Sequence, residues 1–336
     1  MQDAIRALVE GEGLSGEVAA AAMEQIMSGG ATPAQIGAFL AALRVRGESP
    51  DVVAACARVM QAHAEPVPVE DVIDICGTGG DGQDTFNVST AAGIVVAAAG
   101  VRVAKHGNRA ASSKCGSADL LEALGARIDL GGEEVAAVIE SCGFGFLFAQ
   151  RFHPAMRHVG GPRRELGIRT VFNMLGPLTN PARPRAQLAG VGARHLAPLM
   201  AEAFALRGME RAMVVHSDDG LDEISPAATT RAWVVIGGEI EECEIAPEAF
   251  GVTRHPLEAV LGGDAAHNAG QLQAVLDGAE GPVTDFVLMN AGAALFTAGA
   301  APDFAAGTAL AREAIASGKA RETLDTYIVL TQGAGE

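Results

Sequence analysis

Basic residues are in short supply. The 336-residue chain carries 24 lysines and arginines against 41 aspartates and glutamates, a formal net charge of −17. So negative a chain repels polyanions, which excludes nucleic acid and an anionic membrane surface as expected partners. Long apolar runs are lacking as well. The longest, around residues 91–101, is too short to span a bilayer and stops at Arg102. The first residues, MQDAIRALVEGEG, show no basic start followed by an apolar block, so no secretory signal is read there and a cytoplasmic location is expected. Cysteines are few: Cys56, Cys76, Cys115, Cys142 and Cys243 are odd in number, scattered and without CxxC spacing. That fits reduced, buried thiols better than a disulfide framework or a zinc site. No internal repeat or low-complexity tract is found.

What is present is the material of a large core. Hydrophobic residues make up 49% and charged residues 19%, the balance of a globular protein of one large or two ordinary domains. Residues 1–64 read as four short helices. Ser15 caps one, Thr32-Pro33-Ala34-Gln35 is a capping box with proline at the first helical position, and Ser49-Pro50 repeats the device. The extended polar stretch Glu65–Glu70 marks a boundary between a small α-helical domain, 1–70, and a larger α/β domain, 71–336. Beyond it, short strands at 72–76, 101–105, 144–148 and 212–216 alternate with helices, and 233–240 reads as a hairpin. Residues 264–332 return to helix. This alternation implies βαβ units and a mostly parallel central sheet flanked by helices.

In such sheets ligands bind beyond the carboxyl ends of the strands, and the unusual loops here all follow strands. Cys76-Gly77-Thr78-Gly79-Gly80-Asp81-Gly82 has the glycines of an anion-binding loop, and Asn87-Val88-Ser89-Thr90 follows at a helix start, where free N–H groups favour a phosphate. A tight turn with Ser89 as an ordinary cap fits those residues equally well. Lys105-His106-Gly107-Asn108-Arg109 and Ser112–Ser117 add cations, an imidazole and hydroxyls at the same edge. Two such loops after consecutive strands favour phosphate binding. Asp218-Asp219-Gly220-Leu221-Asp222-Glu223 is either an exposed acidic turn or a set of hard oxygen ligands for Mg²⁺. Residues 151–194 hold eight arginines and one acid, Glu165, and Asn173–Pro181 reads as a turn-rich connection. Together, residues 77–117 and 151–194 balance at +9 and the rest of the chain at −26, so the acidic total conceals two stretches suited to small anions.

GTGGD at 77–81, NVST at 87–90, KHGNR at 105–109, SSKCGSADLLEALG at 112–125, RTVFNMLGPLTNP at 169–181 and DGLDE at 219–223 occur in this order. The sequence thereby resembles the anthranilate phosphoribosyltransferase family, from its helical start through at least residue 310. The resemblance implies transfer of a phosphoribosyl group from 5-phosphoribosyl-1-pyrophosphate (PRPP) to the amine of anthranilate, in tryptophan biosynthesis. It implies a nucleoside phosphorylase/phosphoribosyltransferase-like fold and a homodimer joined through the small helical domain, to which a segment near 163–180 returns. It implies that Gly77, Thr78, Gly79, Gly80, Asp81, Thr85, Asn87, Ser89, Thr90, Lys105, Gly107, Asn108 and Ser117 hold PRPP. Gly77, His106, Asn108 and Arg163 are implied for anthranilate, with His106 and Asn108 positioning it and no certain catalytic group. Two Mg²⁺ are implied per subunit, one on Ser89 and one on Asp222 with Glu223. The nearest rival is a pyrimidine nucleoside phosphorylase of the same architecture.

Overall fold

The computed structural model describes residues 1–110 and 113–334; Ser112 of the motif above lies outside them. Four helices open the chain: α1 (Gln2–Glu10), α2 (Gly16–Met27), α3 (Pro33–Arg46) and α4 (Pro50–Ala62). Their starts are set by the residues that announced them. Ser15 Oγ accepts from the Val18 amide at 3.3 Å, Ser49 Oγ from the Val52 amide at 3.4 Å, and Thr32 and Gln35 form the reciprocal capping box.

The sheet has seven strands: β1 (Ile73–Gly77), β2 (Val103–Gly107), β3 (Phe144–Phe148), β4 (Ala186–Gly190), β5 (Arg211–Ser217), β6 (Thr230–Ile236) and β7 (Glu239–Ile245). Their order is β3-β2-β1-β4-β5-β6-β7, with the first five strands parallel and the β5–β6 and β6–β7 pairings antiparallel. The expected hairpin turns at Gly237-Gly238, where φ values of 59° and 90° suit a two-residue turn matching the strand twist. Two local readings need correction. The strand pattern omits β4, although it lies at the centre of the sheet: AQLAG has no β-branched residue and sits inside the arginine-rich tract. And Phe172–Leu178 is a helix rather than a turn-rich connection, with Pro177 tolerated in its last turn.

Alternation along the strands feeds two separate cores. Met213 and Val215 of β5 face one with Ala186 and Leu188 of β4, under the buried helix Val88–Ala98 and the C-terminal helices. Ala212 and Val214 face the other, with Ala189, Val191, Trp233 and Val235. That second core is shared with α1–α4 and with the helices Arg157–Leu166, Phe172–Leu178 and Leu196–Leu206. The helical bundle is therefore seated on one face of the sheet, and a cleft runs between them. No helix among the described residues is long and apolar enough to cross a membrane.

Candidate active site

The glycine loop leaves β1 with Gly79, Gly80 and Gly82 all in the left-handed region, at φ values of 67°, 78° and 74°. It is pinned to the acidic loop after β5. The Gly79 amide donates to Asp222 Oδ2 at 2.7 Å. A β carbon on Gly77 would collide with that oxygen, and one on Gly190 would overlap the Asp222 carbonyl. Gly190 pairs with Gly77 across the sheet, so β1 and β4 each contribute a glycine for the acidic loop to enter. Thr78 Oγ1 accepts from the Gly192 amide at 3.1 Å. Arg169 donates to the Gly80 carbonyl at 2.6 Å, a role the sequence reading did not assign.

Asp222 is buried, at 7% exposure, and Glu223 partly so. Burial first, then the charge of Asp81, raises the Asp222 carboxyl to about 7. Burial and the charge of Asp222 raise Glu223 to about 8. Ser89 Oγ accepts from Lys105 Nζ at 3.1 Å, and the Ser89 hydroxyl opposes the rise at Glu223. Three carboxylates held in mutual repulsion beside a hydroxyl are hard oxygen donors of the kind that a divalent cation relieves, so the residues fit Mg²⁺. Among the described residues no three His, Cys, Asp or Glu side chains are grouped so as to hold a metal ion by themselves.

Lys105 lies within β2, as the strand read at 101–105 expects, and the strand runs on through His106 and Gly107, which the sequence reading placed on the loop after it. Lys105 is 1% exposed and its ammonium donates to the Ile75 carbonyl at 2.6 Å. Burial presses it below the usual lysine range, and Asp74, Cys76 and Glu223 pull the other way. Its reach is to Ser89 and the acid pair, not to the open cleft. His106 is buried too. Its Nδ1 lies 3.2 Å from the Gly176 carbonyl and its Nε2 3.2 Å from His153 Nε2. A carbonyl only accepts, so His106 Nδ1 carries the proton and His153 Nε2 donates to His106 Nε2. Burial, then His153, drives the His106 imidazole down to about 3, and burial takes His153 to about 4. A ring with both nitrogens engaged positions; it is not a free base.

The loop after β2 folds onto the start of the helix Ser117–Ala123. Asp119 accepts from the Ala110 amide at 2.9 Å and from Gly116 at 2.8 Å, and Ala118 N donates to the Asn108 carbonyl at 3.2 Å. Asn108 Oδ1 accepts from the Arg109 amide and from Gln150. Gly107 leaves no spare room beside Ser117, whose Cβ would be 3.2 Å from an added methyl. Arg109 is paired with Asp119 and Glu122 and is not available to a ligand. Asn87 ties this loop to the helix it precedes, donating to the Cys115 carbonyl at 3.0 Å and accepting from Asn268 at 2.8 Å. The bland reading of Ser89 as the helix cap fails: Asn87 holds that position, with no side-chain cap bond. Thr90 Oγ1 is buried with no partner among the described residues. Thr85 bridges to Leu261, bringing in a segment that the sequence left without a role.

Arg163 stands apart from these contacts, on the helix Arg157–Leu166, with its guanidinium 5.4 Å from the Phe172 ring. Burial lowers its pKa and no carboxylate among the described residues pairs with it. A narrow pocket runs from Arg44 of α3 and Glu48 just after it, past Thr78 and Gly79, to Arg169 and Asn173. The sequence reading passed over Asp74, although a lone acid inside an apolar strand is a signal that could have found it. His153, Asn268 and Asp119 gave no local signal.

Comparison with known proteins agrees with this architecture. The helical bundle domain of a glycosyl transferase family matches residues 2–64, and the a/b domain of that family matches 69–321. Anthranilate phosphoribosyltransferase of Thermomicrobium roseum is 52% identical over 99% of this chain and 97% of its own length. That of Thioalkalivibrio sulfidiphilus is 50% identical over 98% of each. The crystal structure of anthranilate phosphoribosyltransferase from Thermus thermophilus superposes with a TM-score of 0.93 at 46% identity, covering 98% of this chain and 100% of that one. The Saccharomyces cerevisiae enzyme in complex with PRPP and Mg gives 0.91 at 31% identity, over 98% and 97%. With its glycine loop, acid pair and bundle-on-sheet cleft, the chain belongs to the anthranilate phosphoribosyltransferase family.

Proposed function

We propose that this chain transfers the 5-phosphoribosyl group of PRPP to the amine of anthranilate, giving N-(5-phosphoribosyl)anthranilate and pyrophosphate in tryptophan biosynthesis. The observation that carries the reading is the bond from the Gly79 amide to Asp222, which joins a phosphate-type loop to a buried acid pair. In the reaction the bond from the anomeric carbon to pyrophosphate breaks as the amine nitrogen bonds to that carbon, and the amine proton leaves to solvent or pyrophosphate. Negative charge grows on the leaving group. Glycine-loop and Asn87–Thr90 groups would hold PRPP there, with Ser117 and Asn108 at the ribose and phosphates. Ser89 would hold one Mg²⁺ and Asp222 with Glu223 a second, and bound Mg²⁺ supplies charge neutralisation to the pyrophosphate.

Lys105 acts on this set from beneath, fixing Ser89 and balancing Glu223. Gly77, His106 and Asn108 would line the acceptor's place, and Arg163, half-buried and unpaired, suits its carboxylate. With no free base, positioning supplies the acceptor step. A pyrimidine nucleoside phosphorylase is not favoured, since it has no need of the acid pair or Arg163. We also place the domain boundary at residues 70/71, with the helices within 157–178 counted with the bundle. Cytoplasmic location and a homodimer through the bundle complete the proposal. Val9 and Val45 support the dimer, being 66% and 85% exposed on α1 and its neighbour α3.

The test is a steady-state assay of pyrophosphate release with anthranilate, PRPP and Mg²⁺ omitted in turn. Turnover that needs all three is expected. Base release from thymidine and phosphate, without anthranilate-dependent turnover, would overturn the reading.

A further inference from the structure

At the opposite edge of the sheet, by the amino-terminal ends of β4 and β5, lies a cavity of about 430 Å³. Its wall includes Gln61 at the end of α4, the segment running from Pro177 to Arg185, and Arg207 before β5. Arg185 is neutralised there by Asp71 and Glu210. Arg207 is not. Its Nη2 donates to Gln61 Oε1 at 2.7 Å, while its Nη1 is buried with no partner. Burial, with the nearby charges of Arg58 and Arg183, takes its pKa down to about 10. No carboxylate among the described residues pairs with Arg58, Arg183 or Arg207, in a chain of 41 acids. A half-buried guanidinium with a desolvated N–H and no counter-charge is costly unless an anion joins it, and the exposed Arg183 of the wall, with Arg58 beside it, adds positive charge there. Their planar forks match the oxygens of a phosphate.

The cavity wall also touches the acceptor side of the cleft. Pro177 and Asn180 line it, Asn180 Nδ2 donates to the Ala104 carbonyl of β2 at 2.8 Å, and the Gly176 carbonyl holds His106. We propose that this arginine-lined cavity is a second anion site, for phosphate or the phosphate group of a small metabolite, and that its occupation is felt at His106 through residues 176–180. The site is separate from the PRPP cleft and stands whether or not the assigned reaction does.

Thermal denaturation in potassium phosphate against potassium chloride at equal ionic strength tests it, on the wild type, the double variant Arg58→Ala/Arg183→Ala, and Arg207→Gln. Phosphate at ten times its Kd is expected to raise the wild-type Tm by about 2 °C, saturably. The double variant, with wild-type kcat in chloride, loses at least half of that rise. Arg207→Gln, relieved of its orphaned charge, is more stable than wild type in chloride and responds least to phosphate. An equal rise in all three proteins, as binding at the catalytic cleft alone gives, or no saturable rise in the wild type, overturns the site. Glycerol 3-phosphate in place of phosphate separates the sources: a rise at lower concentration marks an organic phosphate, and a rise with inorganic phosphate alone marks the free anion. At saturating PRPP, the anthranilate KM is expected to depend on phosphate in the wild type and not in the double variant. A KM indifferent to phosphate in both overturns the link to His106.

Discussion

At the scale of single residues, the site is built from groups whose ordinary chemistry is suppressed. His106 and His153 are kept neutral by burial and by each other. Unfolded imidazoles bind a proton near pH 6.5, whereas the folded ones refuse it until about 3 and about 4. The unfolded state therefore binds more protons as pH falls below about 6.5, and stability drops down to the folded values, with a slope of about 1.4 kcal/mol per pH unit for each proton. His153→Gln, which keeps a donor toward His106, is expected to flatten this slope by up to one proton between about pH 6 and 4, measured by urea unfolding across that range. An unchanged slope would show that the pair is not what acid attacks. Arg163 is the opposite case, a charge left without a partner. Arg163→Ala should raise the anthranilate KM by roughly 10- to 100-fold, the worth of a hydrogen bond to a charged group, while the PRPP KM stays within about twofold. Equal effects on both constants would remove the carboxylate role.

At the scale of elements, the site depends on where strands end and on what their last residues leave empty. Gly190 closes β4 against the Asp222 backbone, so Gly190→Ala drives a β carbon into a carbonyl oxygen that has no rotamer to escape into. The expected cost is about 1–3 kcal/mol of stability and a displaced acidic loop. Circular-dichroism melting should show the lower Tm, and activity against Mg²⁺ concentration a weaker response. A variant with the wild-type melt and Mg²⁺ curve would mean that the loop yields freely. The glycine loop, the two polar loops and the acidic loop were all legible in sequence, because each announces itself within a few residues. β4 was not, since AQLAG is buried on both faces and carries no apolar–polar alternation tied to exposure. Nor was the burial of Lys105 or the extension of β2 through His106, since a lysine at a strand end reads as solvent-facing until its neighbours are known.

At the scale of the whole molecule, one sheet face and the helical bundle share a core, so the cleft is a seam between two bodies packed as one. The exposed valines of α1 and α3 bear on the proposed dimer. Val9→Glu/Val45→Glu is expected to shift the protein from dimer to monomer in light scattering after gel filtration, with helix content retained; a dimer of unchanged mass would send the interface elsewhere. The net charge of −17 also has its proper meaning at this scale. It describes the surface offered to a polyanion, while the arginines and backbone amides that suit small anions lie in folds of that surface.

The sequence by itself determined the helical start, the alternation that makes a mostly parallel sheet, the order of the ligand loops and the family. Those features are local: caps, glycine runs and periodicity act over a few residues, and the chain need not close on itself to express them. The tertiary structure alone decided which of these loops meet. Residue 79 lies 143 positions from Asp222, yet the adjacency of β1, β4 and β5 puts an amide of one on the carboxylate of the other. The same adjacency buries Lys105 between Asp74 and Glu223, and leaves Arg207 unpaired on the far edge of the sheet. Burial and charge pairing depend on neighbours distant in sequence, and so does the protonation of every group in the site.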